Sequence, residues 1–133
     1  MPRPVAILVC DDEAHIRHIV AHKLVSAGFV VREGRNGQEG LDAIADGFCP
    51  DLVITDFQMP VLSGLEMCQR LRRLPQTATT PVLMLTARGY ILPDLELSQT
   101  NIRNVINKPF GVRQLLERVQ EALAESRASR NAA

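Results

Sequence analysis

The sequence is poor in the residues that define several classes of protein. It has only three cysteines, Cys10, Cys49 and Cys68, in a chain of 133 residues. Their number is odd, and they fit neither a disulfide framework nor the Cys-x-x-Cys spacing of metal and redox sites. We therefore expect them to be small, buried or half-buried side chains in a reducing cytosol.

Targeting and membrane signals are also missing. The amino end leads directly into a short apolar segment, without the longer apolar core and the small-residue cleavage site of a secretory signal. No stretch approaches the roughly 20 consecutive apolar residues of a membrane-spanning helix. The sequence therefore predicts a cytoplasmic protein that does not contact a membrane.

The sequence has no excess of charge of either sign. Fifteen basic and fifteen acidic side chains give a formal net charge of zero at pH 7. No block of like charges is present, so the basic surface that non-specific nucleic-acid binding requires is missing. We expect no nucleic-acid partner for this chain alone.

The sequence does contain enough apolar material for one hydrophobic core. Hydrophobic residues make up 46% of the 133 positions, which fits one ordinary domain and leaves no room for a second. We place the domain at residues 4–126. Residues 127–133 form a small polar tail that we expect to fray.

Short apolar runs alternate with segments of helical periodicity, as in linked strand-helix-strand units. The predicted strands are 5–10, 29–33, 50–56, 81–85 and 104–107, and the predicted helices are 13–27, 38–46, 65–74, 92–98 and 112–126. In the first helix one face carries Ile16, Ile19, Val20 and Leu24, and Gly28 supplies a left-handed stop. The alternation predicts a three-layer, doubly wound (βα)5 α/β sandwich with a parallel five-stranded sheet.

Charged and hydroxyl side chains stand where four of the predicted strands end. The first strand is followed by Asp11 and Asp12, the third ends in Asp56, and the fourth and fifth are followed by Thr86 and Lys108. Ligands of doubly wound sheets bind beyond the carboxyl ends of the strands, where the strand order reverses. We therefore expect the functional site at this edge.

Three carboxylates at one edge repel one another, and one pair about 4 Å apart costs on the order of 4 kcal/mol at an effective dielectric near 20. Lys108 offsets one charge, and the remaining two match a divalent cation. Oxygen ligands without His or Cys favour Mg²⁺ over zinc. With such an ion in place, a carboxylate oxygen could attack a phosphoryl group and form an acyl phosphate. An Asp-Asp pair alone is more often a helix cap, and a Lys-Pro step alone is more often a turn. The interpretation as a phosphoryl site therefore depends on all five residues standing at strand ends.

Four motifs in residues 4–124 resemble the receiver domain of two-component response regulators. They are Val9-Cys10-Asp11-Asp12-Glu13, Asp56-Phe57-Gln58-Met59-Pro60 followed by Gly64, Leu85-Thr86-Ala87, and Lys108-Pro109-Phe110. The resemblance implies a flavodoxin-like sheet with the strand order 2-1-3-4-5. It also implies a phosphorelay protein whose Asp56 accepts a phosphoryl group from a sensor histidine kinase or a histidine phosphotransfer protein. It implies no enzyme activity beyond the chain's own aspartyl phosphorylation and dephosphorylation. The signal would then pass to a separate, unidentified protein partner, with the chain a monomer or weak dimer.

The resemblance also implies a role for each site residue. Asp12, Asp56 and the backbone carbonyl of Gln58 would contact Mg²⁺ directly, and Asp11 would hold it through water. Thr86 and Lys108 would bind phosphoryl oxygens. A cis peptide bond is expected before Pro109, a form that X-Pro bonds reach at a cost of only about 0.5 to 1 kcal/mol.

The chain departs from the family pattern near this site. Many receivers carry Tyr or Phe three residues before the lysine, as a ring that moves when the threonine moves, and here that position is Val105. Tyr90 is a hypothetical substitute for the ring. Gln58 and Arg88 occupy positions that tune the lifetime of the phosphoaspartate in this family, and Arg88 either shields the acyl phosphate or is simply solvated.

Three histidines, His15, His18 and His22, share one face of the first predicted helix. No carboxylate or cysteine completes a metal site with them, so a solvated face is the favoured interpretation. By family analogy, the same helix belongs to the surface that docks the phosphodonor.

Three other functions compete with the receiver interpretation. A haloacid-dehalogenase-like phosphatase needs an acid-base carboxylate two residues after the nucleophile, where this chain has Gln58. A flavodoxin-like electron carrier needs a phosphate-binding loop after the first strand, where Asp11 and Asp12 would repel the phosphate. A receiver-like scaffold that is not phosphorylated is less expected because every site residue is present.

Overall fold

Five parallel strands and the helices that connect them make up the computed structural model, which describes residues 3–87 and 99–131. The strands are β1 Ala6–Cys10, β2 Val30–Gly34, β3 Leu52–Asp56, β4 Val82–Thr86 and β5 Ile102–Asn107. The helices in the described residues are α1 Ala14–Ser26, α2 Gly37–Ala45, α3 Gly64–Arg73 and α4 Val112–Asn131. No helix within the described ranges is both long and apolar enough to cross a membrane.

The strand order of the sheet is β2-β1-β3-β4-β5, and every pairing is parallel. Both the predicted fold class and the predicted order are confirmed. All residues of β1, β3 and β4 are buried, because helices cover both faces of the sheet. The strand order reverses between β1 and β3, so a crevice opens at their carboxyl ends.

Alternate side chains of the strands pack into two separate cores, one on each face of the sheet. Leu8 and Cys10 of β1 face α2 and α3, in a core that also contains Met67 and Leu71. Ile7 and Val9 face the opposite way and pack with residues of α1 and α4. The period of two along each strand thus produces the three-layer arrangement.

Local capping signals define where the helices begin and end. The Asn36 side chain accepts a hydrogen bond from the backbone N–H of Glu39 at the start of α2. Ser63 and Glu66 form a reciprocal capping box at the start of α3. After α1, Gly28 adopts a φ of +98°, the left-handed conformation that the sequence predicts there.

Four details differ from the sequence predictions or lie beyond their reach. Ile19 is 42% exposed rather than in the core, and Cys49 is exposed, whereas Cys10 and Cys68 are buried. The last helix continues to Asn131, past its predicted end near residue 126, because residues 127–131 contain no glycine or proline to stop it. The predicted helix at 92–98 lies outside the described residues.

Candidate functional site

Three carboxylates meet at the carboxyl edge of the sheet. One oxygen of each of Asp11, Asp12 and Asp56 lies within 4.8 Å of the others. Asp11 is only 1% exposed and Asp56 7% exposed, whereas Asp12 is exposed. Two of the three charges are therefore largely removed from water, which is costly without a compensating cation.

Contacts from β2 and from the start of α1 hold Asp11 in place. The backbone N–H of Asp11 donates to the carbonyl of Gly34 at 3.1 Å, and its Oδ1 accepts a hydrogen bond from the N–H of Glu13 at 2.9 Å. The buried guanidinium of Arg17 donates to the Asp11 carbonyl at 2.8 Å and to Glu33 Oε1 at 3.1 Å. Arg17 and Glu33 did not emerge from the sequence, because apolar periodicity assigns no contact to a charged residue.

Lys108 reaches into the same cluster. Its Nζ lies 3.1 Å from Asp11 Oδ2, 3.1 Å from Glu13 Oε1 and 3.3 Å from Asp56 Oδ2. The peptide bond between Lys108 and Pro109 is cis, as predicted. Glu13 was missed in the sequence as a partner of Lys108, although it immediately follows the two aspartates.

Burial, more than the surplus of negative charge, changes the acidity of the clustered carboxyl groups. Burial raises the pKa of Asp56 to about 6, and the charge of Asp11 adds to this effect while Lys108 opposes it. Burial also raises the pKa of Asp11. Burial by itself lowers the pKa of Lys108, but its hydrogen bond to Glu13 and the charge of Asp11 outweigh burial, so the pKa rises. Lys108 therefore stays an ammonium at neutral pH.

A cavity of about 400 Å³ opens beside the cluster. Asp56 and Lys108 both face it, so the carboxylate and the ammonium can meet the same ligand. The residues that line the cavity are Asp12, Glu13, Asp56, Phe57, Gln58, Ala87 and Lys108. Gln58, the predicted source of a carbonyl ligand, thus lies at the same cavity.

The loop between β3 and α3 shapes one wall of this cavity. The N–H of Gly64 donates to the carbonyl of Phe57 at 2.9 Å, and a Cβ added at Gly64 would collide with the backbone oxygen of Asp56. Only glycine permits this approach. The N–H of Gly37 in turn donates to the carbonyl of Leu62 at 3.0 Å. Two sets of contacts thus support the position of Asp56, one within the β3–α3 loop and one between this loop and the start of α2.

Thr86 is fully buried, and its hydroxyl donates to Asn107 Oδ1 at 3.1 Å. The structure thus brings Asp11, Asp12, Asp56 and Lys108 together, while Thr86 stands at the end of the neighbouring strand with its hydroxyl bonded elsewhere. Asn107 received no role from the sequence.

Other predicted residues lie away from this cluster. His15, His18 and His22 are exposed, as a solvated face requires, and His18 Nε2 lies 3.6 Å from Glu33 Oε1. Tyr90 and Arg88 fall outside the described residues, so the hypotheses on ring movement and shielding stay predictions.

The donor set fits Mg²⁺. All three side chains offer hard carboxylate oxygens close enough to share one ion, and the single ammonium leaves the cluster negative. Neither a thiolate nor an imidazole belongs to this group of described residues, which disfavours zinc. The arrangement suits phosphoryl chemistry, in which a carboxylate attacks while cations stabilise the transferring oxygens.

Comparisons with known proteins agree on one family. The family described as response regulator receiver domain matches residues 7–120 of this chain. The chain is 39% identical over 123 residues to the DNA-binding dual master transcriptional regulator RpaA of Synechocystis, an alignment that covers 92% of this chain and 49% of that protein. It is 37% identical over 117 residues to the phosphate regulon transcriptional regulatory protein PhoB of Pseudomonas aeruginosa, covering 88% and 51% respectively. The chain thus spans about half the length of these curated relatives.

Solved structures are similar over nearly their whole length. A putative response regulator from Chloroflexus aurantiacus superposes with a TM-score of 0.82 at 34% identity, covering 92% of this chain and 99% of that one. The chemotaxis response regulator CheY4 of Vibrio cholerae superposes with a TM-score of 0.81 at 32% identity, covering 90% and 99%.

Proposed function

The chain belongs to the response regulator receiver domain family, and from that premise we propose that it carries signals by accepting a phosphoryl group on Asp56. The observation that carries the proposal is the position of Lys108 Nζ, 3.3 Å from Asp56 Oδ2 within a cluster of three carboxylates beside an open cavity. A structural ion pair would not require two further carboxylates at the same point.

In the proposed reaction, an ionised oxygen of Asp56 attacks the phosphorus atom of a phosphohistidine. The new O–P bond forms as the N–P bond breaks, and the electron pair of that bond stays on the imidazole nitrogen of the donor. The ammonium of Lys108 offsets negative charge on the phosphoryl oxygens during the transfer. Because the pKa of Asp56 is about 6, most of the carboxyl is in the attacking, ionised form at pH 7.

The proposed cofactor is Mg²⁺. Asp12, Asp56 and the backbone carbonyl of Gln58 would hold it directly, and Asp11 would hold it through water. When bound, it supplies positive charge to the transferring phosphoryl oxygens. The burial of Asp11 and Asp56 supports this proposal, since both charges need a cation to offset their desolvation.

The proposed donor is a sensor histidine kinase or a histidine phosphotransfer protein, and the proposed output is a contact with a separate protein. Two of the similar proteins are transcriptional regulators by name, but the matched region is only about half of each. The described residues also carry no run of basic side chains suited to DNA. We therefore propose that this domain acts through protein contacts, as a phosphorylated module in the cytoplasm.

The decisive experiment is to incubate the protein with Mg²⁺ and acetyl phosphate and to measure its intact mass. We expect one added phosphoryl group that is lost at alkaline pH and absent from Asp56→Asn. Asp46→Asn is the matched control, because Asp46 is an exposed aspartate at the C-terminal end of α2 and does not belong to the carboxylate cluster. An adduct that persists in Asp56→Asn, or none in the wild type, would contradict the proposal.

A further inference from the structure

We infer that Asn107 is a positioning residue that holds the Thr86 hydroxyl away from Asp56 until a phosphoryl group is present. The inference rests on the proposed phosphorylation of Asp56 and goes beyond it, because it assigns to this chain its own way of controlling Thr86. It concerns the pair formed by these two side chains at the ends of β4 and β5.

The register of the sheet places the two side chains side by side. Thr86 and Asn107 are direct partners in the parallel pairing of β4 with β5, so their side chains leave the sheet on the same face. The Thr86 hydroxyl donates to Asn107 Oδ1 at 3.1 Å. The backbone is tied at the same point, since the N–H of Lys108 donates to the Thr86 carbonyl at 2.8 Å.

A threonine hydroxyl has one proton to donate; Asn107 Oδ1 accepts it in this structure, and a phosphoryl oxygen on Asp56 is the second acceptor that the proposed function would supply. Asp56 ends β3, the strand next to β4, so Thr86 stands one residue beyond the partner of Asp56. A phosphoryl group on Asp56 would bring anionic oxygens to this edge. Rotation about χ1 can redirect the hydroxyl, but it cannot serve Asn107 and a phosphoryl oxygen at once.

The strengths of the two hydrogen bonds set the direction of the change. A hydrogen bond to an anionic oxygen is roughly twice as strong as one between neutral groups. The amide oxygen of Asn107 therefore holds the hydroxyl in the free protein, and a phosphoryl group displaces it. Thr86 is fully buried, so an unpaired Thr86 hydroxyl would be costly in the free protein. The hydrogen bond to Asn107 avoids this cost as long as Asp56 carries no phosphoryl group.

β5 lacks the aromatic residue that many receivers carry three positions before the lysine, so another residue of β5 has to respond to Thr86. Val105 stands at that position and is only partly buried. Asn107 lies two residues further on, on the same face of the strand, and is exposed. Release of Thr86 would free the Asn107 amide at the protein surface, and the state of Asp56 would thus be communicated to β5 by one hydrogen bond.

The test removes the acceptor and measures binding of fluoroberyllate, a phosphoryl mimic, in the presence of Mg²⁺. Asn107→Leu keeps the approximate size of the side chain without its acceptor. We expect it to bind fluoroberyllate roughly fivefold more tightly, because one neutral hydrogen bond no longer has to be broken. In a Thr86→Val background the same substitution should have no effect, since the hydroxyl is gone. Asn104→Leu, on the opposite face of β5, is the matched control and should leave affinity unchanged.

A second measurement needs no phosphoryl mimic. The methyl signal of Thr86 in the NMR spectrum of the free protein should shift in Asn107→Leu and in Asn107→Ala, and stay in place in Asn104→Leu. If the wild type fails to bind fluoroberyllate but the Thr86 signal responds, the proposed function is wrong and the hydrogen bond stands. If the wild type binds and neither Asn107 variant changes affinity or the Thr86 signal, the role of Asn107 is overturned.

Discussion

The two edges of the sheet differ in how their polar groups are satisfied. At the amino edge, before β1 and β3, Asp51 accepts two hydrogen bonds from Arg3 at 3.0 and 2.8 Å and one from the N–H of Ala6 at 2.9 Å. At the carboxyl edge, Asp11, Asp12 and Asp56 form a cluster in which the one ammonium, that of Lys108, contacts Asp11 and Asp56 and also pairs with Glu13. The first arrangement satisfies each group within the protein, and the second leaves charge for a ligand to neutralise.

Asn101 is a second polar residue at the amino edge whose hydrogen-bonding groups find partners within the protein. It precedes β5, is only 4% exposed, and donates from Nδ2 to the carbonyls of Thr77 at 3.1 Å and Ala78 at 2.7 Å. Its Oδ1 accepts a hydrogen bond from Arg72 at 2.6 Å. One side chain thus closes the turn between α3 and β4 and fixes the start of β5. The same fold thus satisfies its polar groups internally at one edge and leaves unneutralised negative charge at the other.

The largest effect on stability is expected at the amino edge. Asn101→Ala should lower the free energy of unfolding by about 2 to 4 kcal/mol, because it removes a buried amide that donates to the carbonyls of Thr77 and Ala78 and accepts from Arg72. Urea unfolding followed by circular dichroism would measure this loss. Asn104→Ala, within β5, is the control and should cost far less. Equal losses in the two variants would show that Asn101 has no special role at this edge.

At the carboxyl edge we expect the opposite sign. Asp56→Asn should stabilise the metal-free protein at pH 7 by on the order of 1 to 3 kcal/mol, because it removes a buried charge whose pKa is raised to about 6. Urea unfolding without Mg²⁺ measures the change. Asp46→Asn, which removes an exposed charge, should have little effect. A destabilised Asp56→Asn protein would mean that the carboxylate is a structural partner of Lys108.

The pH dependence of this second effect follows from the direction of the pKa shift. Between about pH 4 and pH 6 the folded protein retains a proton on Asp56 that the unfolded chain has released. The stability of the metal-free wild type should therefore fall as pH rises through this window, and the raised pKa of Asp11 acts in the same direction. The gain from Asp56→Asn should vanish near pH 4. Mg²⁺ should stabilise the wild type more than the variant at pH 7.

The smallest effect is expected from Arg3→Ala at the amino edge. Arg3 is exposed, so its ion pair with Asp51 should contribute only about 0.5 kcal/mol, even with two hydrogen bonds. Asp51 keeps its bond to the N–H of Ala6 in this variant. A thermal unfolding scan at low and high salt would detect the change. If Arg3→Ala lost more stability than Asn101→Ala, the expectation that buried polar groups contribute more than exposed ones would be wrong here.

The sequence predicted the elements that build this site, and the reasons are local. Continuous apolar runs indicated buried parallel strands, and Asp11, Asp56 and Lys108 stood where those runs ended. The carboxyl ends of parallel strands meet at one edge, so the meeting of these residues followed from the fold class. The prediction for Ile19 was wrong because an apolar residue at helical spacing need not face the core when a neighbouring position, here Arg17, is buried instead.

The order of strands and helices along the chain, and the charged residues that follow the strands, could be predicted from the amino-acid sequence. The contacts between side chains became known only from the folded chain. Glu13 beside Lys108, Arg17 on the Asp11 carbonyl and Asn107 on the Thr86 hydroxyl are all contacts of polar groups. Such contacts depend on side-chain direction and on register between strands far apart in the chain, and periodicity records neither. The free energy of hydrophobic burial is non-directional and depends on the apolar area buried, so the apolar pattern of a segment indicates its structure. A hydrogen bond needs a specific distance and angle between two atoms, which the pattern does not contain.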